Sequence, residues 1–169
     1  MNQTTREKYY NRPFSMGELL YALDGSHGKS AGLDEIGYPM LKKIPYFVKN
    51  ILLRTINLLW DNGLFPAEWR TSLVVPIPKY GKSATKTDGY RPISLISCIA
   101  KTTERMVNRR LVTILEEKNL ISERQFAFRK GRGTGAYFAC LGDILDSARG
   151  EGHHIDLAAL DISKAHNRT

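Results

Sequence analysis

Cysteine is scarce in this chain: two, Cys98 and Cys140, in 169 residues. They make no CxxC pattern, which excludes a disulfide framework as the source of stability. Both sit in apolar helical stretches and read as packing residues of a protein kept in a reducing compartment. Long apolar runs are also missing. No window reaches transmembrane length, and the polar first twelve residues carry no signal core. The expected location is therefore intracellular, cytoplasmic or nuclear, with no membrane partner. Internal repeats, long low-complexity tracts and an obvious dividing linker are absent as well. Several catalytic motifs fail in turn. Gly25-Ser26-His27-Gly28-Lys29-Ser30 has the wrong spacing for a phosphate loop, and no buried strand precedes it. No nucleophile elbow accompanies the serines. His153-His154 has no further ligand at metal spacing and reads as a solvated pair.

What is present is positive charge on a chain with a core. Lys and Arg number 25 against 17 Asp and Glu, a net charge of +8. That surface favours phosphate-rich partners, nucleic acid first and an anionic membrane second, unless the cations are simply scattered. Hydrophobic residues make up 42% of the chain, enough to argue against wholesale disorder.

The punctuation predicts an α+β, mostly helical order. Residues 1–13 read as a frayed lead-in. Ser15-Met16-Gly17-Glu18 has capping-box spacing and opens a short helix to about Leu23. Asp34 is placed to cap a second helix over 35–43, ended by Pro45. Residues 47–62 carry Val48, Ile51, Leu52, Ile56, Leu59 and Trp60 at helical spacing, with Asn62-Gly63 as the stop. Trp60 and Trp69 read as core packing. Residues 72–79 and 90–95 read as two strands about a Lys-rich loop with Lys82 and Lys86, and Pro76 and Pro78 make this an edge hairpin. A long helix over 99–117 buries Met106, Val107, Leu111, Ile114 and Leu115. Its cations Lys101, Arg105, Arg109 and Arg110 form either a solvated face or a phosphate track.

Residues 123–134 are unusual. Arg129, Lys130 and Arg132 alternate with Gly131 and Gly133 just before a helix with Thr134 as its cap. A helix N-terminus offers free N–H groups to an anion. Phe126 and Phe128 either stack on bases or anchor the segment. The helix runs to about Arg149 with Phe138, Leu141, Ile144, Leu145 and Ala148 inward. An apolar run, 155–160, then reads as a buried strand that delivers Asp161 into a polar turn. An Asp so placed is either a turn residue or a metal-holding carboxylate.

The blocks together resemble the reverse transcriptases of non-LTR (LINE-type) retrotransposons, within them the jockey-like and I-factor-like elements. Lys29-Ser30-Ala31-Gly32-Leu33-Asp34-Glu35-Ile36 is similar to their K-x-x-G-x-D-x-I segment. Gly63-Leu64-Phe65-Pro66-Ala67-Glu68-Trp69 is similar to G-x-F-P-x-x-W. Val75-Pro76-Ile77-Pro78-Lys79, Tyr90-Arg91-Pro92-Ile93-Ser94-Leu95, Lys101, Glu104-Arg105 and Arg110-Leu111 follow the fingers block in order. Gln125 to Thr134 resembles Q-x-G-F-R-x-G-R-S-T, and Leu160-Asp161-Ile162-Ser163-Lys164-Ala165 the first catalytic motif.

The resemblance implies a fragment of an RNA-directed DNA polymerase: fingers with a β-hairpin and the first strand of an incomplete palm over 15–169, after a polar lead-in at 1–14. It implies Asp161 as a catalytic, metal-binding carboxylate, with the Ile162 backbone carbonyl as a second ligand of Mg²⁺. Lys79 and Arg91 would hold the deoxynucleoside triphosphate, and His166 stands at the sugar-gate position where the family has Phe or Tyr. Lys101, Arg105, Arg109, Arg110, Gln125, Arg129, Lys130 and Arg132 would meet the RNA template and DNA primer. Ala127 replaces the usual Gly, which predicts a strained or shifted turn there. Gly133 replaces the usual Ser. The second catalytic motif, Tyr/Phe-Ala-Asp-Asp, does not occur, so the 169 residues alone are expected to be inactive. The alternative is an inactive nucleic-acid-binding module or a relic of such an element. Oligomeric state is left open.

Overall fold

Ser15 starts a helix because its hydroxyl accepts from the Glu18 backbone N–H while the Glu18 carboxylate accepts from the Ser15 N–H. This capping box starts α1, Met16–Asp24, in a computed structural model that describes residues 10–28, 30–81, 85 and 89–161. Lys29, Lys82, Lys86, Ile162 and His166 lie outside the described residues. Then come α2 (Tyr38–Lys43), α3 (Tyr46–Asp61), a 3₁₀ turn (Ala67–Arg70), β1 (Leu73–Pro78), β2 (Tyr90–Leu95), α4 (Cys98–Glu117) and α5 (Thr134–Gly150). Five α-helices and one two-stranded antiparallel sheet among the described residues make the class α+β.

The chain forms two compact units that meet in sequence at Lys118 and Asn119. In the first, α1, α3 and α4 pack Leu19, Leu23, Leu53, Ile56, Cys98 and Met106 into one core with Phe14, Tyr38 and Leu41. The frayed lead-in is corrected over its described part. Asn57 clamps Phe14, accepting from its N–H at 2.6 Å and donating to its carbonyl at 2.9 Å. Trp60 donates its indole N–H to the Asn11 carbonyl and packs edge-on to Phe14, ring centroids 5.1 Å apart.

Gly32 explains its own place in the motif. A Cβ there would lie 2.6 Å from the Ser97 nitrogen and 2.7 Å from the Ile96 carbonyl carbon. Only glycine lets this loop cross the start of α4 so closely. Ser97 caps α4 by accepting from the Ile99 and Ala100 N–H groups. Asp34 does not cap a helix over 35–43. Its carboxylate accepts from Ile36 two residues on, and α2 begins only at Tyr38, with Pro39 in its first turn.

Two buried faces differ from expectation. On α3, Leu53 is buried while Ile51 is 58% exposed; on α4, Leu111 is half exposed. Cys98 is buried, and burial pushes its thiol up, as suits an inert packing residue. Cys140 is exposed instead.

The second unit departs most. α5 has no buried residue, and Phe138, Ile144 and Leu145 face outward. Gly133, not Thr134, is its cap, with extended backbone and no side-chain hydrogen bond. The strand expected over 155–160 is not formed. No strand among the described residues pairs with it, and a lone strand leaves its backbone groups to water. Leu160 is 96% exposed.

Candidate functional site

The hairpin positions the first pair of candidate residues. Its register sets Pro76 opposite Pro92 and Ile77 opposite Arg91. Proline has no N–H, so Pro76 and Pro92 can meet only where neither strand needs to donate. Pairs alternate in an antiparallel ladder, which makes Ile77–Arg91 a hydrogen-bonded pair. The ladder's continuation agrees: the Lys79 N–H donates to the Gly89 carbonyl at 2.7 Å. Lys79 lies two residues beyond Ile77, so its side chain shares a face with Arg91, as diagonal neighbours. The same face carries Leu73, Val75, Ile77 and Ile93, all exposed. The tip of the sheet thus presents a lysine and an arginine side by side, a point charge and a planar fork suited to phosphate oxygens.

The cations of α4 separate into different duties. Arg110 is 11% exposed and uses all five of its N–H groups inside the protein. Nε and Nη2 grip the two carboxylate oxygens of Glu18 at 2.8 and 3.0 Å. Nη1 donates to the Tyr10 and Arg12 carbonyls, and Nη2 also to the Pro13 carbonyl. The guanidinium also covers the Phe14 ring at 4.0 Å. Arg110 therefore cannot offer a phosphate the fork expected of it; it ties the chain start to α1 and α4. Burial pushes the Glu18 carboxyl up, but the Arg110 and Ser15 hydrogen bonds outweigh it and hold the group at about 2.

Arg105 is half-buried and caps the C-terminal end of α1. It donates to the Ala22 carbonyl at 2.8 Å and to the Ser26 hydroxyl, which itself donates to Ala22. Arg109 is exposed and stands over the Tyr21 ring, 3.7 Å from its centroid. Lys101 is half-buried. Sequence reasoning missed Tyr21, Asn57 and the Arg110–Glu18 pair. One signal was available: Arg109 and Arg110 are adjacent, so they project about 100° apart around the helix and cannot share one duty.

In the second unit, residues 122–133 fold as a loop pinned by its own arginines. Arg129 donates to the Ser122 carbonyl at 2.9 Å, and Arg132 to the Glu123 carbonyl. Arg132 also lies over the Phe126 ring, which packs edge-on to Tyr137. Phe126 is thus an anchor. Gln125 bonds locally to the Ala127 carbonyl, and Lys130 is exposed. Ala127 escapes the expected strain. The positive φ falls instead on Phe128 (+61°) and Gly131 (+73°). Phe128 is fully exposed, so a large side chain holds a left-handed conformation without packing in return.

Asp161 is exposed at the end of the irregular stretch after α5. Among the described residues no three His, Cys, Asp or Glu gather as a metal cluster. The described part therefore supplies one candidate carboxylate and not a set, which does not fit a two-metal site. No helix among the described residues is long and apolar enough to cross a membrane.

Three curated relatives come from Drosophila melanogaster. The chain is 29% identical to a probable RNA-directed DNA polymerase from transposon BS, over 93% of its own length and 17% of the relative's. It is 28% identical to the RNA-directed DNA polymerase from mobile element jockey, over 96% of its length and 19% of the relative's. It is 30% identical to a probable RNA-directed DNA polymerase from transposon X-element, over 85% and 16%. The chain thus spans less than a fifth of these relatives. The family model described as reverse transcriptase (RNA-dependent DNA polymerase) matches residues 77–168, which include Arg91, the segment 125–134 and Asp161. With more than half of its length so matched, the chain belongs to the reverse transcriptase family.

Proposed function

We propose that these residues are the fingers and the start of the palm of a non-LTR retrotransposon polymerase that copies RNA into DNA. The observation that carries this is the hairpin register, which sets Lys79 and Arg91 on one face beside the tip. Two cations on one face, as diagonal neighbours of the ladder, match the charge of a deoxynucleoside triphosphate. Lys79 serves as the point charge and Arg91 as the fork. Arg129, Lys130 and Arg132 line the loop before α5 and favour the RNA template or DNA primer backbone. Reverse transcriptases in general use a divalent metal. In the complete enzyme Asp161 and the Ile162 carbonyl would hold Mg²⁺, and His166 would stand at the sugar-gate position.

The test is made in the complete enzyme. Lys79→Glu and Arg91→Glu should each raise the triphosphate KM by about tenfold or more, because a charge-assisted phosphate contact contributes roughly 1.5–3 kcal/mol. An unchanged KM would remove the pair from that role.

A further inference from the structure

A cleft of about 580 Å³ opens between α1 and α4, lined by Tyr10, Arg12, Ser15, Tyr21, Arg109 and Thr113 among others. Its size lies within the range of small-ligand sites. Two features give it a chemical character. The first is the Tyr21–Arg109 pair. The guanidinium stands 3.7 Å from the ring centroid, and the ring itself is 58% exposed. The second is how the neighbouring charges are used. Glu18, also in the wall, is neutralised by the two-point grip of Arg110. Arg110 has no donor left over. Arg109, by contrast, makes no side-chain hydrogen bond to a protein acceptor among the described residues. Its guanidinium carbon lies over the Tyr21 ring, and the residue as a whole is exposed.

We infer that Tyr21 and Arg109 form a stacking platform for an unstacked base of single-stranded RNA, whose neighbouring phosphate accepts from the Arg109 guanidinium. This rests on the polymerase reading and adds a contact made by residues separate from the hairpin and the loop before α5. A base inside a duplex has both faces covered by its neighbours, so only a splayed base can lie on such a pair. The platform needs a plane as well as a charge, which lysine does not supply. Phosphate contact alone would not need Tyr21.

The test uses the 169-residue chain and three fluorescent RNA probes: a short oligouridylate, the same backbone with abasic positions, and a duplex of equal length. Arg109→Lys keeps the charge and removes the plane. Tyr21→Ala removes the ring, and Tyr21→Phe keeps it. Arg109→Lys and Tyr21→Ala should weaken oligouridylate binding about five- to tenfold and change the other two probes by less than about twofold. Tyr21→Phe should bind as the parent does. Equal loss on all three probes would make Arg109 a plain charge and overturn the platform, as would no loss on oligouridylate. Failure of the parent chain to bind any probe would instead overturn the nucleic-acid reading on which the platform stands. Circular dichroism monitors folding; if Tyr21→Ala fails to fold, Arg109→Lys carries the decision alone.

Discussion

At the scale of single residues, Arg110 ties more of the chain together than any other cation whose contacts are shown, joining Tyr10, Arg12, Pro13 and Glu18 to α4. Removing it takes the only cation from the Glu18 carboxylate among the described residues, leaving Ser15 as its donor, and removes the Arg110 hydrogen bonds to the carbonyls of Tyr10, Arg12 and Pro13. Arg110→Ala should lower unfolding stability by about 2–4 kcal/mol in urea titrations, and Arg110→Lys should recover only a minor part, since a lysine cannot form the fork. The pair also sets a pH dependence. The folded Glu18 pKa lies below its ordinary value of 4.5, at about 2. A depressed carboxylate stabilises fully above the unfolded pKa, so this contribution is present at neutral pH and fades as pH falls from about 4.5 towards 2. Glu18→Gln should therefore differ from the parent by about 1–2 kcal/mol near neutrality, after allowance for solvent screening, and converge with it near pH 2. A gap that persists at low pH would assign the loss to packing instead.

At the scale of elements, punctuation was legible and burial was not. Ser15 and Glu18, Asn62 and Gly63, and the strands on either side of the hairpin loop act through near neighbours, and the structure realises them close to where the sequence places them. Arg110 and Glu18 are 92 residues apart, and no local spacing announces such a pair. Helical periodicity on α5 correctly marks an apolar stripe, but a stripe does not say what covers it. The same limit applies to Asp161: its motif is readable, while its surroundings depend on pairing that no local signal fixes. The hairpin shows how a few local residues can still govern association. Pro76 and Pro78 occupy the outward-pointing positions of β1, so that edge lacks two N–H donors. Pro92 does the same for β2. The double variant Pro76→Val, Pro78→Val restores those donors on a strand whose side chains are already apolar and exposed. Light scattering should show concentration-dependent assembly beyond that of the parent. Identical scattering would mean that the edge is protected by something other than its prolines.

At the scale of the whole molecule, stability is unevenly distributed along the chain. The core from Phe14 to Met106 lies entirely in the first unit, while the second has no buried side chain among its described residues. α5 must therefore be sustained mainly by its own backbone, and a helix of 17 residues is near the lower limit for independent stability in water. Gly142 in its interior costs about a further 1 kcal/mol relative to alanine. Hydrogen exchange on the 169-residue chain should find the amides of α1, α3 and α4 protected by cooperative opening. Those of α5 should open for roughly 0–2 kcal/mol, the range of fraying segments. Gly142→Ala should slow exchange across α5 and leave α4 unchanged, because the substitution meets open space. RNA offers a second lever. If Arg129, Lys130 and Arg132 hold a nucleic-acid backbone, adding oligouridylate should protect the loop and the first turns of α5 before it alters the already closed core. Protection confined to α4, with none in the loop, would place the RNA on the first unit alone and separate the two candidate contacts.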